Sequence, residues 1–123
     1  MKKYDFMILA GGTGGHIFPA AAVACELVFE GSSVCWAGKI DSLEEKQAKL
    51  YNIDFIVSNS PVWQRRGRLA RIYVIFELLK AIYLSWGIMK HYNPKVVIGF
   101  GGAISVALGI CAALQGKKLL LHE

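Results

Sequence analysis

The sequence predicts an α/β domain built on a doubly wound, Rossmann-like parallel sheet, and three observations carry that expectation. Five short apolar runs alternate with four helical stretches along 123 residues, the order that builds a parallel sheet with right-handed crossovers and helices on both faces. The apolar runs are close to continuous, as strands buried on both faces require. Glycine clusters, Gly11 to Gly15 and Gly99 to Gly102, follow two of the strands and lead into helices.

Each element has a local cause. Tyr4–Ala10 is the first strand, closed by Gly11-Gly12. A helix over Pro19–Glu30 follows, because proline suits a first turn where no intrahelical N–H bond is lost, and Gly31 stops it. Ser33–Ala37 is the second strand. Asp41 or Ser42 caps a polar helix over Ser42–Tyr51, and Ile53–Val57 is the third strand. A basic loop, Trp63–Ala70, leads into a long helix over Arg71–His91 that Asn93-Pro94 ends. Lys95–Ile98, a turn at Gly99–Gly102, a small-residue helix over Ala103–Gln115 and a strand at Leu119–Leu121 complete the chain.

Composition narrows the function. Hydrophobic residues at 54%, charged residues at 19% and mean hydropathy of +0.41 exclude disorder, and the length excludes a self-contained two-domain enzyme. The net charge of +5 divides into −2 over residues 1–62 and +7 over residues 63–123. Such asymmetry points to an anionic partner. The interleaved basic and aromatic residues that nucleic-acid binding needs are missing, so acidic lipid or a phosphorylated ligand is expected instead.

Cys25, Cys35 and Cys111 are odd in number and lack metal-ligand spacing, so reduced core thiols are expected, with no disulfide and no metal. Only Phe6–Ala10 follows the basic start before glycines intervene, too short for a signal peptide, which predicts a cytoplasmic address. The last strand reaches His122 and Glu123 with no helix to cover it, which predicts a fragment of a larger protein or one part of a two-chain assembly.

The strongest motif is Ala10-Gly11-Gly12-Thr13-Gly14-Gly15-His16-Ile17-Phe18-Pro19. Four glycines in five residues beside a helix start leave backbone N–H groups uncovered, where the helix dipole favours an anion such as phosphate. The dinucleotide fingerprint fails at Ile17, and the second strand ends in Ala37-Gly38-Lys39 without the acidic residue that holds a ribose. The P-loop fails because His16 follows Gly15 where lysine is needed. His16 itself is a candidate acid or base. The turn Gly99-Phe100-Gly101-Gly102 falls on the same sheet edge and widens the anion site; the alternative is close packing of the following helix on the sheet.

The stretch Leu69–Lys90 is long enough to cross a bilayer, but Glu77 and Lys80 argue against a span. At helical spacing Ile72, Ile75, Phe76, Leu78, Leu79, Ile82, Tyr83 and Trp86 share a broad apolar face. With Arg65, Arg66, Arg68 and Arg71 beside it, that face fits an element lying on an anionic membrane; the alternative is a core helix with a solvated arginine loop.

The glycine motif at 10–20, Trp36-Ala37-Gly38, the basic loop, the segment from Asn93 to Gly102 and the terminal Leu121-His122-Glu123 together resemble the N-terminal domain of glycosyltransferase family 28. The resemblance implies the acceptor-side half of a two-domain GT-B enzyme over residues 1–123, with the donor-binding C-terminal domain absent. It implies a peripheral enzyme on the inner face of the plasma membrane. That enzyme moves N-acetylglucosamine from UDP-N-acetylglucosamine to the 4-hydroxyl of a lipid-diphosphate-linked muramyl peptide in peptidoglycan synthesis, with inversion and with no cofactor or required metal. It further implies that Thr13, Gly14 and Gly15 contact the donor, that His16 is the general base, and that Gly101, Gly102 and Ser105 serve the acceptor side. Arg65, Arg66, Arg68, Ile75, Leu79 and Trp86 would meet the membrane. Two departures stand out: Ala103 replaces the aromatic residue common after the second glycine pair, and the family's Gln-Asn after His-Glu lies beyond Glu123. Three readings stay open: a transferase half that works only with a donor-binding partner, a noncatalytic membrane-docking subunit of a two-chain glycosyltransferase, and an inactive truncated remnant.

Overall fold

A computed structural model describes residues 3–12, 14–58 and 68–122. The elements run β1 (Phe6–Leu9), α1 (Gly14–Phe29), β2 (Val34–Gly38), α2 (Leu43–Leu50), β3 (Asp54–Val57), α3 (Arg68–Tyr92), β4 (Val96–Gly99), α4 (Ala103–Leu114) and β5 (Lys118–Leu121). The strands form one parallel sheet in the order β3-β2-β1-β4-β5. Met7 of β1 lies between Cys35 of β2 and Val97 of β4, which sets the register of the centre.

Alternation along the strands divides the core in two, because successive side chains point to opposite faces. Met7, Leu9, Cys35, Ala37 and Val97 face α3 and α4, where they pack with Met89, Leu108, Cys111 and Ala112. Ile8, Ala10, Val34, Trp36 and Ile98 face α1 and α2, against Ile17, Ala20, Ala24 and Ala48. Ala20 and Ala24 are fully buried, and their small size brings α1 close to the sheet.

Sequence and structure agree on the order and kind of all nine elements, with two informative shifts. Helix α1 begins at Gly14 and encloses Pro19, so proline is not its starting residue. The glycine motif is wound into the first turn, and Pro19, which has no N–H, leaves the Gly15 carbonyl without its usual helical donor. Helix α2 starts where the capping signal placed it: the Ser42 hydroxyl accepts from the Glu45 N–H at 3.3 Å, with Glu44 and Glu45 on the favourable end of the helix dipole.

The second shift concerns α3, whose 25 residues make a rod about 37 Å long beside strands of only four or five residues. A helix joining parallel strands runs from their carboxyl edge back to their amino edge, so the start of α3 lies on the carboxyl side. None of residues 71–80 is buried, and burial begins at Ala81. The second half packs on α4 through Ile82, Trp86 and Met89, while the first half overhangs the carboxyl edge of the sheet.

Candidate functional site

The order in which strands are added reverses between β1 and β4, the parallel pair from which the sheet grows outward both ways. In doubly wound sheets ligands bind in the crevice at the carboxyl ends of such a pair. Both glycine loops open there and are tied together. The Phe100 N–H donates to the Leu9 carbonyl at 2.8 Å. The Ser105 hydroxyl reaches the Gly101 carbonyl at 3.0 Å and the Leu9 carbonyl at 3.3 Å. The Trp36 indole N–H donates to the Ala10 carbonyl at 3.1 Å, which pins the start of the first loop to β2.

Glycine is required at the contact between the loops. Gly101 has φ +106°, and a Cβ there would lie 2.7 Å from His16 Nδ1; Gly102 has φ +87°, and its Cβ would lie 2.5 Å from the Gly11 carbonyl oxygen. Side chains at either position would drive the loops apart. The His16 ring therefore rests on the backbone of Gly101, bringing the two motifs into one site although 85 residues separate them in the chain.

Gly14, Gly15 and His16 form the first turn of α1, where N–H groups lack intrahelical acceptors and the helix dipole favours negative charge. Gly102 caps α4 without a side-chain bond, so a second helix start faces the same crevice. Ser105 is brought to the site, but its hydroxyl bonds inward to two carbonyls and holds the loop. His122 lies nearby, its ring 5.4 Å from that of Phe100. Thr13 lies outside the described residues, as do Arg65, Arg66 and the side chain of Arg68.

Glu44 was not singled out by the sequence. Its side chain is 4% exposed, and its Oε2 accepts from the Lys39 N–H at 3.3 Å. It reaches the first glycine loop from α2 across the end of β2. The only hint in sequence was the presence of small residues, Gly11 and Gly38, where the carboxylate passes.

The apolar surface of α3 is split along its length. Ile75 and Leu79 stand on the overhang, 56% and 57% exposed, beside Phe76 and Tyr83. Trp86, assigned to the same membrane face by helical spacing, is half-buried against the core shared with α4, because by that point the helix has reached its partner. The span Arg71–Tyr92, with mean hydropathy of 1.6, is long and apolar enough to cross a membrane by length and composition.

The fold is a doubly wound α/β domain whose two glycine loops meet at one edge of the sheet. Residues 6–123 match the glycosyltransferase family 28 N-terminal domain, and the chain belongs to that family. The UDP-N-acetylglucosamine--N-acetylmuramyl-(pentapeptide) pyrophosphoryl-undecaprenol N-acetylglucosamine transferase of Haemophilus ducreyi is 42% identical over 117 residues, which cover 95% of this chain and 33% of that protein. The crystal structure of Acinetobacter baumannii MurG superimposes with a TM-score of 0.77 at 33% identity, covering 100% of this chain and 35% of the other. The kitacinnamycin glycotransferase, at 13% identity and a TM-score of 0.72, shares the fold. The architecture is thus that of the N-terminal half of GT-B glycosyltransferases, and the chain spans about a third of the length of the curated relatives it matches.

Proposed function

We propose that this chain is the acceptor-side half of a transferase that moves N-acetylglucosamine from UDP-N-acetylglucosamine to the 4-hydroxyl of a lipid-diphosphate-linked muramyl peptide. It works together with a donor-binding domain or subunit that carries the uridine nucleotide. The meeting of the two glycine loops, with the His16 ring seated on Gly101, carries this reading. The acceptor diphosphate lies against Gly101 and Gly102 at the start of α4, where backbone N–H groups and the helix dipole answer its charge. Gly14 and Gly15 contact the donor, as does Thr13, which lies outside the described residues. The His16 imidazole takes the proton of the acceptor hydroxyl as its oxygen attacks the anomeric carbon on the side opposite the departing UDP, so the configuration inverts. No metal ion and no cofactor enters the reaction.

The overhang of α3 explains how a lipid-linked acceptor is reached. Its apolar residues lie on the same side of the sheet as the glycine loops, so Ile75 and Leu79 rest in the membrane interface while Arg65, Arg66 and Arg68 meet anionic head groups. The protein sits peripherally on the inner face of the plasma membrane, with the acceptor's tail left in the bilayer. The overhang by itself also supports a noncatalytic docking subunit.

The test is to isolate the tagged chain from its own cells with whatever copurifies and to assay transfer to the lipid-diphosphate acceptor. Transfer that falls by about 100-fold or more on His16→Ala is the expected result. Transfer untouched by His16→Ala would leave the chain as a docking subunit. Folded material with neither partner nor transfer would make it an inactive remnant.

A further inference from the structure

We propose that Glu44 is the carboxylate that recognises the hydroxyl groups of the acceptor's sugar, in a subsite beneath the first glycine loop; this rests on the acceptor reading above. A cavity of about 390 Å³ opens there, lined by Gly11, Gly12, Lys39, Ser42, Leu43 and Glu44. Its volume falls in the ordinary range of small-molecule sites. Glu44 is the buried charged group in its wall.

The surroundings of Glu44 are arranged to admit its carboxylate. A Cβ at Gly11 would lie 2.7 Å from Oε2, and a Cβ at Gly38 would lie 2.6 Å from the Glu44 Cγ. Neither glycine has the positive φ that would call for glycine on backbone grounds, so both are explained by the room they leave. The carboxylate nonetheless takes a single hydrogen bond among the described residues, the 3.3 Å contact from Lys39 N–H. A carboxylate offers about four acceptor positions, and no side-chain oxygen among the described residues is both fully buried and without a partner, so the positions that Glu44 leaves unused face the cavity, where a ligand's hydroxyls can reach them.

The sign of the charge selects the ligand. Glu44 repels phosphate and accepts from neutral hydroxyls, whereas Gly14, Gly15, Gly101 and Gly102 offer backbone donors to phosphate. A sugar diphosphate divides itself between these two regions, with diphosphate on the loops and hydroxyls toward Glu44. In dinucleotide-binding sheets an acid at the end of the second strand holds sugar hydroxyls in the same part of the fold. Here β2 ends in Gly38 and Lys39, and Glu44 reaches that place from α2.

Two probes isolate the sugar's contribution: farnesyl diphosphate, and farnesyl diphosphate linked to N-acetylmuramyl pentapeptide. Dissociation constants for the full chain are measured by calorimetry. Glu44→Gln is expected to weaken the sugar-bearing probe about tenfold, the scale of one hydrogen bond to a charged group, and to leave farnesyl diphosphate within about twofold. Equal weakening of both probes, or no change in either, overturns the proposal and leaves Glu44 a scaffold for the loop. Glu44-dependent binding of UDP-N-acetylglucosamine in place of the muramyl probe also overturns it, by assigning the carboxylate to the donor. Failure of the unaltered chain to bind either farnesyl probe overturns the acceptor reading, and this one with it.

Discussion

Gly101 and Gly102 occupy φ values that disfavour a side chain, and each also faces an atom that a Cβ would strike. Gly12 has φ +95° but open space around it, so the two penalties can be separated. Gly12→Ala should cost about 1 kcal/mol from backbone strain alone. Gly102→Ala, which adds overlap with the Gly11 carbonyl, should cost at least about 3 kcal/mol, as urea midpoints would show. A second prediction concerns Cys35. Burial pushes its thiol up to about 12, and the Asp54 carboxylate adds to the rise. The unfolded chain ionises near pH 8.5 while the folded chain keeps its proton, so the contribution of Cys35 to stability declines as pH climbs from about 8.5 toward about 12. Unfolding midpoints at about pH 7.5 and about pH 9.5 should fall by the equivalent of about 1 kcal/mol, and by less in Cys35→Ala. The density of glycine made the first loop legible in the sequence. The seating of His16 on Gly101 was not, because it depends on β1 pairing with β4 from the far side of the chain. Glu44 was hidden for a related reason: its carboxylate crosses β2 from α2, and sequence spacing describes a helix face but not what that face reaches.

Among the elements, strands and helix ends followed from local signals such as Ser42, Gly31 and Asn93-Pro94, since each acts within a turn of the residue it stops or starts. The start of α1 did not, because Pro19 satisfies helix geometry in the second turn as well as in the first. Helical spacing placed Ile75, Leu79 and Trp86 on one face of α3, but spacing carries no information on where along the axis the partner helix begins. Contact with α4 takes Trp86 and leaves Ile75 and Leu79 outward. Ile75→Glu with Leu79→Glu should therefore leave the unfolding midpoint within about 0.5 kcal/mol while reducing sedimentation with anionic phosphatidylglycerol vesicles by about tenfold. Equal loss of stability would place these residues in the core.

At the scale of the whole molecule, a parallel sheet gathers loops that are remote in sequence onto one edge. The same edge holds both glycine loops, the Glu44 cavity and the overhang of α3. The charge partition, −2 before residue 63 and +7 from there on, puts excess positive charge on the part of the chain that holds α3, the second glycine loop and β5. In the function proposed above, an anionic lipid-linked ligand meets that edge through the apolar surface of α3 and the backbone donors of the glycine loops. The most direct measurement is a titration of the isotope-labelled chain with farnesyl diphosphate followed through backbone amide resonances. The predicted result is shifts concentrated at Gly101, Gly102 and His16, whose ring rests on Gly101. Saturating ligand with those amides unmoved, or with shifts confined to α3, would contradict an acceptor diphosphate site at the meeting of the two loops.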